Sequence, residues 1–513
     1  MALSILPKHL ALRETFNRRL TLAILLITFS QFNFGFDQQG FAATQAMDSF
    51  AKQFGEYNPE TKKYFLPPVW LSWFNGINYL GQATGVILGS WVSKRWGRRM
   101  CMFTMSLWAV VCATIIITSR TKEQILVARI LNYIYIGMEL AVVPIFQSEI
   151  CPPKARGFTV GTYQISLMLG GLCVNLVARG TSSLTGNLPW MIPLGLFYVV
   201  PTTVAILIWF IPESPRWLLM KDRPEEAMKV LRELRVGKFE DHEIEAEFAM
   251  IVDGLKNTVA QGSFMDIWRG TNLRRTYIVI GANFFLQATG QLFTALYGAL
   301  FVKSLGTVNP FTITCTIAAV NVSTALLSMA LTDRLGRRFM IHFGSVVQIA
   351  ALMTMGALGT VTPTFGIKSG IIATMVIFNF GYSFGWAPTS HTLSAEVPNM
   401  RARDMTYRTA SVLNIATQCA VAISMPYLLN PPYAALGSKV GFIFGSIAVA
   451  SLVFAYFCVP DCAGRSLEDL DWLFEQRIPA RKFRSTEINR QQEAEARKLS
   501  NDVALEQVEM KQV

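Results

Sequence analysis

An aspartate stands inside the first apolar run of this chain, in Gly35-Phe36-Asp37-Gln38. A carboxylate deep in hydrocarbon costs about 2.5–3.5 kcal/mol on insertion scales, so it demands a partner or a proton. Burial favours its neutral form and a nearby cation favours its charged form. A carboxyl balanced between the two can load and release a proton. Arg129, at the start of the fourth apolar run, is the candidate cation. Two readings stay open for the pair: a proton-coupling site, or a fixed ion pair that only joins two helices. Glu139 lies ten residues past Arg129, about 15 Å along a helix. It reads as a second proton-coupling acid or as an acid facing a watery cavity.

Neutral hydrogen-bonding groups recur at the middle of other runs. Gln164 and Asn175 lie on the fifth run, Asn321 on the eighth and Asn414 on the eleventh. Gln287, Gln291 and Thr294 fall at i, i+4 and i+7 and share one face of the seventh. Trp386 and His391 lie on the tenth. Short-range polar partners plus an aromatic face are what a polyhydroxylated solute needs. Each amide alone could equally join two helices. His391 reads as a group that favours an anion or senses pH, or as an interhelical hydrogen bond.

The elements that hold these residues follow from composition. The chain has 513 residues, is 52% hydrophobic and only 16% charged, and its mean hydropathy is +0.36. Roughly twelve apolar stretches of about 20 residues are present, the length that crosses a hydrocarbon core. They lie near 20–42, 70–92, 102–119, 124–147, 159–180 and 191–211, then near 276–301, 310–331, 340–360, 370–394, 406–428 and 438–459. Backbone polar groups in lipid must be satisfied internally, so the fold class is all-α and membrane-spanning. Lys94, Arg95, Arg98 and Arg99 sit between runs 2 and 3, and Arg334, Arg337 and Arg338 follow run 8. The alternate loops carry few or mixed charges, which places both termini in the cytoplasm. No cleavable signal peptide is visible.

The net charge of +12 therefore reports topology. Its basic residues sit in separate short loops, against a nucleic-acid surface. Eight cysteines are scattered, and Cys458 and Cys462 have no His/Cys cluster beside them, so no metal site is expected. Four histidines are scattered as well, with no nucleophile–base constellation and no cofactor loop, so the chain does not read as an enzyme.

The chain also repeats itself. Gly97-Arg98-Arg99 returns as Gly336-Arg337-Arg338 about 240 residues later. Glu149, Pro152 and Arg156 return as Glu396, Pro398 and Arg403. Pro212-Glu213-Ser214-Pro215-Arg216 is echoed by Pro460-Asp461-Cys462-Ala463-Gly464-Arg465. Duplication in so apolar a chain marks a transporter built from two pseudo-equivalent halves, with its solute between them. The expected organisation is a cytoplasmic segment 1–19, a six-helix bundle 20–215, a helical linker 216–272, a second bundle 273–460 and a cytoplasmic tail 461–513. The linker reads as two amphipathic helices, from Ala227, Val230, Leu231 and Leu234 and from Ile244, Phe248, Ile251 and Val252. The tail from about Ile478 reads as a frayed helix or disorder. The loop Asp48 to Leu66 is too short for a domain.

These motifs resemble the sugar porter family of the major facilitator superfamily over nearly the whole chain, fungal members most of all. The resemblance implies twelve transmembrane helices in two six-helix bundles, rocking alternating access, and proton-coupled uptake of a sugar or sugar-like solute across the plasma membrane by a monomer. A facilitative uniporter and a non-transporting nutrient sensor are the alternatives. It implies Asp37 with Arg129 as the proton-coupling pair, and Gln164, Gln287, Asn321 and Asn414 at sugar-contacting positions. It implies a cytoplasmic gate from Arg98, Arg99, Glu149, Arg156, Glu213, Arg216, Asp333, Arg337, Arg338, Glu396 and Arg403, closed when the protein is open outward. The competing account of these basic residues is plain positive-inside anchoring. The chain departs from the family at Lys94, where an Asp is usual. Leu286 and Leu292 replace polar residues in run 7, His391 stands for a Trp, and Ile415 replaces a frequent Trp. A disaccharide, a polyol or a sugar acid then stands beside a hexose as candidate solute.

Overall fold

The computed structural model describes residues 16–60, 62–152, 155–256, 264–399, 402–462, 465, 467–484 and 486. Twelve helical spans follow one another in it. The first half holds α1 (Arg18–Gln45), α2 (Pro68–Gly76 continuing as Asn78–Trp96), α3 (Arg98–Thr118), α4 (Lys122–Ile150), α5 (Arg156–Thr181) and α6 (Leu188–Phe210). The second holds α7 (Gly270–Leu296), α8 (Pro310–Leu335), α9 (Arg337–Leu358), α10 (Phe365–Glu396), α11 (Arg403–Leu429) and α12 (Val440–Cys458). Among the described residues ten of these are long and apolar enough to cross a membrane, and α2 and α5 complete the set.

Local chemistry sets the ends. Asn17 accepts the Leu20 N–H at 2.8 Å and starts α1. Thr121 and Gln124 form a capping box at α4. Gly97 and Gly336 sit at φ +101° and +86° in the tight junctions α2–α3 and α8–α9, where a side chain would be strained. Between α2 and α4 the backbones touch, and a Cβ on Gly81, Gly85 or Gly137 would run into the facing helix.

Outside the spans, Pro224–Arg235 and Asp241–Lys256 are helices, with Ala227, Leu231 and Leu234 buried. The first of them docks on the first half: Arg235 donates to the Ile150 carbonyl at 3.0 Å, and Asn17 donates to the Glu233 carbonyl at 3.1 Å. The start of the tail is more ordered than its polar composition suggests. Leu467–Glu475 is a helix, Phe483 is buried, and Arg274 on α7 donates to the Ile478 carbonyl at 2.8 Å. Apolar Leu470, Leu473 and Phe474 give it a face to bury. Residues 487–513 lie outside the described part. The loop after α1 forms a short helix, Asp48–Phe54, and an antiparallel hairpin, Glu56–Asn58 with Lys63–Phe65.

Residue 16, the linker and the tail mark one end of the bundle, here called the terminal end. The opposite end is the far end.

Candidate functional site

The two halves bury different chemistry. On α1, Ser30, Asn33 and Asp37 fall at i, i+3 and i+7 and share a face. That face meets α4. Arg129 Nη1 donates to Asp37 Oδ1 at 2.7 Å, and Asn132 Nδ2 donates to Oδ2 at 2.7 Å. Both ionic side chains are only 1% exposed. The guanidinium also lies 4.1 Å from the Phe41 ring centroid, which holds it in place. A carboxylate with two close donors is well satisfied as an anion. Toward the terminal end the seam continues. Asn33 Nδ2 donates to Tyr135 Oη at 3.2 Å, and Ser30 Oγ donates to Glu139 Oε1 at 3.1 Å. Gln31 Nε2 donates to Gln147 Oε1 at 3.4 Å, and Gln147 Nε2 donates to Thr28 Oγ1 at 3.1 Å. Asn132, Ser30, Asn33 and Gln147 were not singled out from sequence. Their helical spacing against Asp37 and Arg129 was the available signal.

The second half pairs amides and hydroxyls. Asn283 on α7 donates to Ser394 Oγ on α10 at 2.9 Å. Asn414 on α11 donates to Asn283 Oδ1 at 3.3 Å and accepts from Gln287 at 3.4 Å and Gln418 at 2.7 Å. Gln287 and Asn414 are thus brought together, and Asn283 and Gln418 join them unforeseen. Asn321 lies apart, accepting from Ser383 Oγ at 2.9 Å. Gln291 is half-buried with an unpartnered Oε1, Gln164 is half-buried, and His391 is exposed. Two further residues expected to contact solute are engaged within the protein in this state. Trp386 is fully buried and donates its indole N–H to Ser345 Oγ at 2.9 Å, joining α10 to α9. Asn175 is 2% exposed and donates back to the Gly171 carbonyl of its own helix at 2.8 Å.

At the terminal end the duplicated motifs build the same device twice. Arg98 grips Glu149 through two nitrogens at 2.8 and 2.9 Å, and Arg337 reaches Glu396 at 2.9 Å. Glu213 accepts the backbone N–H groups of Arg98 at 3.0 Å and Arg99 at 3.1 Å, capping α3. Asp461 takes the matching place over Gly336. Burial raises the Glu213 pKa, and the Ser214, Arg99 and Arg98 backbone donors pull against that. Arg99 donates to the Ile211 carbonyl and Arg338 to the Tyr456 carbonyl, so both brace their own bundle. Arg403 has an unpartnered Nε and Arg216 is exposed. The side chains of Arg156 and Asp333 lie outside the described residues.

Every hydrogen bond or ion pair between described residues of the two halves lies at the far end. Ser72 donates to the Ile423 carbonyl at 2.7 Å, Arg179 to Thr312 Oγ1 at 2.8 Å and Lys303 to Asp48 at 2.7 Å. Among the described residues, the Arg98–Glu149 and Arg337–Glu396 pairs of the terminal end each lie within one half. The far end is joined, and among the described residues no such bond joins the terminal end.

The family described as sugar (and other) transporter matches residues 23–474. The high glucose sensor RGT2 of Saccharomyces cerevisiae is 28% identical over 77% of this chain, but that match spans only 54% of the sensor. The MFS transporter fmqE of Aspergillus fumigatus is 26% identical over 88% of this chain and 85% of its own length. The hexose transporter HXT13 of S. cerevisiae is 25% identical over 88% of this chain and 82% of its own. Among solved structures, an inward-open conformation of the xylose transporter XylE from E. coli covers 88% of this chain and 99% of its own. Its TM-score is 0.73 at 18% identity, a likeness of fold.

Proposed function

The chain belongs to the sugar (and other) transporter family, and from that premise we propose that it is a proton-coupled symporter for a sugar-like solute. The buried Asp37–Arg129 pair carries this reading. With Asp37 charged, the pair locks α1 to α4. Protonation removes the attraction and frees Arg129, which makes the relation of the two helices depend on the proton. The solute is held between the halves by Gln164 from the first and by Gln287, Gln291, Asn414 and His391 from the second.

The described state is the inward-facing one. Its terminal end is cytoplasmic, in keeping with the arginines and lysines gathered there. Opening outward requires the far-end bonds of Ser72, Arg179 and Lys303 to break. It also requires Arg403 and the Arg98 and Arg337 pairs to approach across the terminal end as the gate. The plasma membrane is the proposed location and a monomer the working unit.

The test is uptake of labelled hexoses, pentoses, disaccharides, polyols and sugar acids in cells lacking their own carriers. It is run at acidic pH with and without protonophore, on wild type and Asp37→Asn. Uptake abolished by protonophore and by the substitution is the expected result. Uptake indifferent to both makes the chain a facilitative uniporter. The similarity to a glucose sensor supports a second reading, a receptor without flux. Surface protein that binds but does not move any of these solutes would select it.

A further inference from the structure

We propose that Glu139 is a second proton station, through which the proton on Asp37 leaves toward the terminal end. This rests on the symport reading above.

Glu139 is fully buried, its Oε1 accepts from Ser30, the Tyr135 hydroxyl lies beside its carboxyl, and its Oε2 makes no well-formed hydrogen bond among the described residues. Among the described residues no arginine, lysine or histidine forms an ion pair with it. The titratable groups around it are Tyr135 on α4, Asp37 on α1 and Tyr163 on α5, and none of them is a cation. A carboxylate buried without a cation neutralises itself by taking a proton. The seam around it is short of donors in the same sense. Gln31 Oε1 and Asn33 Oδ1 are buried acceptors without partners, as is Glu139 Oε2. Three unsatisfied acceptors in one α1–α4 seam call for added hydrogens, supplied by a protonated Glu139 and by water.

Its position suits a relay. Ser30, which holds Glu139, is seven residues before Asp37 on α1, so the two acids are stacked about 10 Å apart along the helix. Asn33 and Tyr135 lie between them. Toward the terminal end from Glu139, Gln147, Thr28 and Thr162 are joined by hydrogen bonds. In the step proposed, Glu139 gives its O–H proton to water on the terminal side. The carboxylate so formed takes the proton of Asp37 through the intervening hydroxyl or water. Asp37 is left charged to re-form its pair with Arg129, and one proton has left per cycle. Asp37 loads, and Glu139 unloads.

Glu139→Gln keeps the shape and the Ser30 contact but cannot carry a proton. Purified protein in liposomes would be tested for solute exchange without a gradient and for accumulation driven by an imposed pH gradient. Exchange should persist at the wild-type rate, while driven accumulation falls by about tenfold or more, the scale of coupling between linked sites. Glu139→Asp should recover part of the driven activity. Infrared difference spectra should show a protonated-carboxyl band at neutral pH that is lost in Glu139→Gln and kept in Asp37→Asn. Glu139→Gln that accumulates solute like wild type overturns the relay and leaves symport standing. A wild type that ignores the gradient overturns the symport reading and the relay with it.

Discussion

The seam between α1 and α4 and the seam between α7 and α10 occupy corresponding places in two repeated halves, yet they carry different chemistry. The first buries Asp37, Arg129 and Glu139. The second joins Asn283 to Ser394 and Thr294 to Asn379, with no buried ionic side chain among these partners. The terminal-end frames are alike, since Gly97 with Glu213 and Gly336 with Asp461 repeat one construction. Duplication therefore kept the hinges and let the interiors diverge. Ionisable groups in one half can answer to protons, while neutral amides in the other can read hydroxyls without adding a second charge to desolvate. Under the proposed symport, the first half supplies the driving groups and the second most of the recognising ones.

The strongest way to break that comparison is to strip the first seam of its cation. Arg129→Ala leaves Asp37 buried and unpaired, which should cost about 3–5 kcal/mol. Loss of folded protein from the membrane and a lowered melting temperature in detergent are the readouts. Asp37→Asn combined with Arg129→Met removes both charges and should recover most of the stability without proton-driven uptake. If Arg129→Ala is as stable as wild type, the pair is not the lock described here.

The junction glycines test whether the frames are as alike as they look. Gly97→Ala and Gly336→Ala each force a side chain onto a positive φ and against a carboxylate, Glu213 or Asp461. Each should cost on the order of 1–3 kcal/mol, and the two should match. Unequal melting shifts would show that the halves share a shape but not a load.

Recognition is tested in the second seam. Gln287→Ala removes one amide next to Asn414 and should raise the KM for the solute about tenfold or less, the worth of one hydrogen bond. Its pH profile should stay where wild type has it. A profile that moves with Gln287→Ala would mean that the amide half also carries the proton coupling.

Much of this was legible before any coordinates. Apolar run lengths mark the spans, and the repeated Gly-Arg-Arg and Glu–Arg spacings mark the halves. Asp37 stood out because a carboxylate in an apolar run has few reasons to be there. What sequence hid was direction. Trp386 reads as an aromatic face for the solute, and in this state Ser345 on another helix takes its N–H. Asn175 reads as a polar mid-span group, yet its partner is the carbonyl one turn back. Ser30, Asn33 and Gln147 gain meaning only once α1 and α4 are known to face each other. The gate arginines read as partners in a cytoplasmic gate, and in this state Arg98 and Arg337 meet Glu149 and Glu396 across helices of their own half. A spacing rule reports which residues share a helix face. It does not report which neighbour that face meets, nor in which state.

The smallest effect separates the two caps. Glu213 is half-buried and its pKa is raised by burial, while the backbone groups of Ser214, Arg99 and Arg98 oppose the rise. The folded protein therefore binds a proton at Glu213 over a range where the unfolded chain, near an ordinary value of about 4.3, has released it. The stability that this protonation lends is complete below the ordinary value and is lost as pH rises through the folded one. Glu213→Gln cannot titrate, so its melting temperature should lack that decline in the mildly acidic range, and the difference from wild type should change with pH. Asp461 instead meets Arg484, a 64% exposed partner, at 3.4 Å. The part of the Asp461→Asn effect that comes from Arg484 should be about 0–1 kcal/mol and fade as salt is added, because that exposed cation is screened. Melting curves against pH for one substitution and against salt for the other would separate a cap governed by burial from a cap governed by an exposed cation. Identical responses would mean that the duplicated caps still work by one mechanism, and that divergence stopped at the spans.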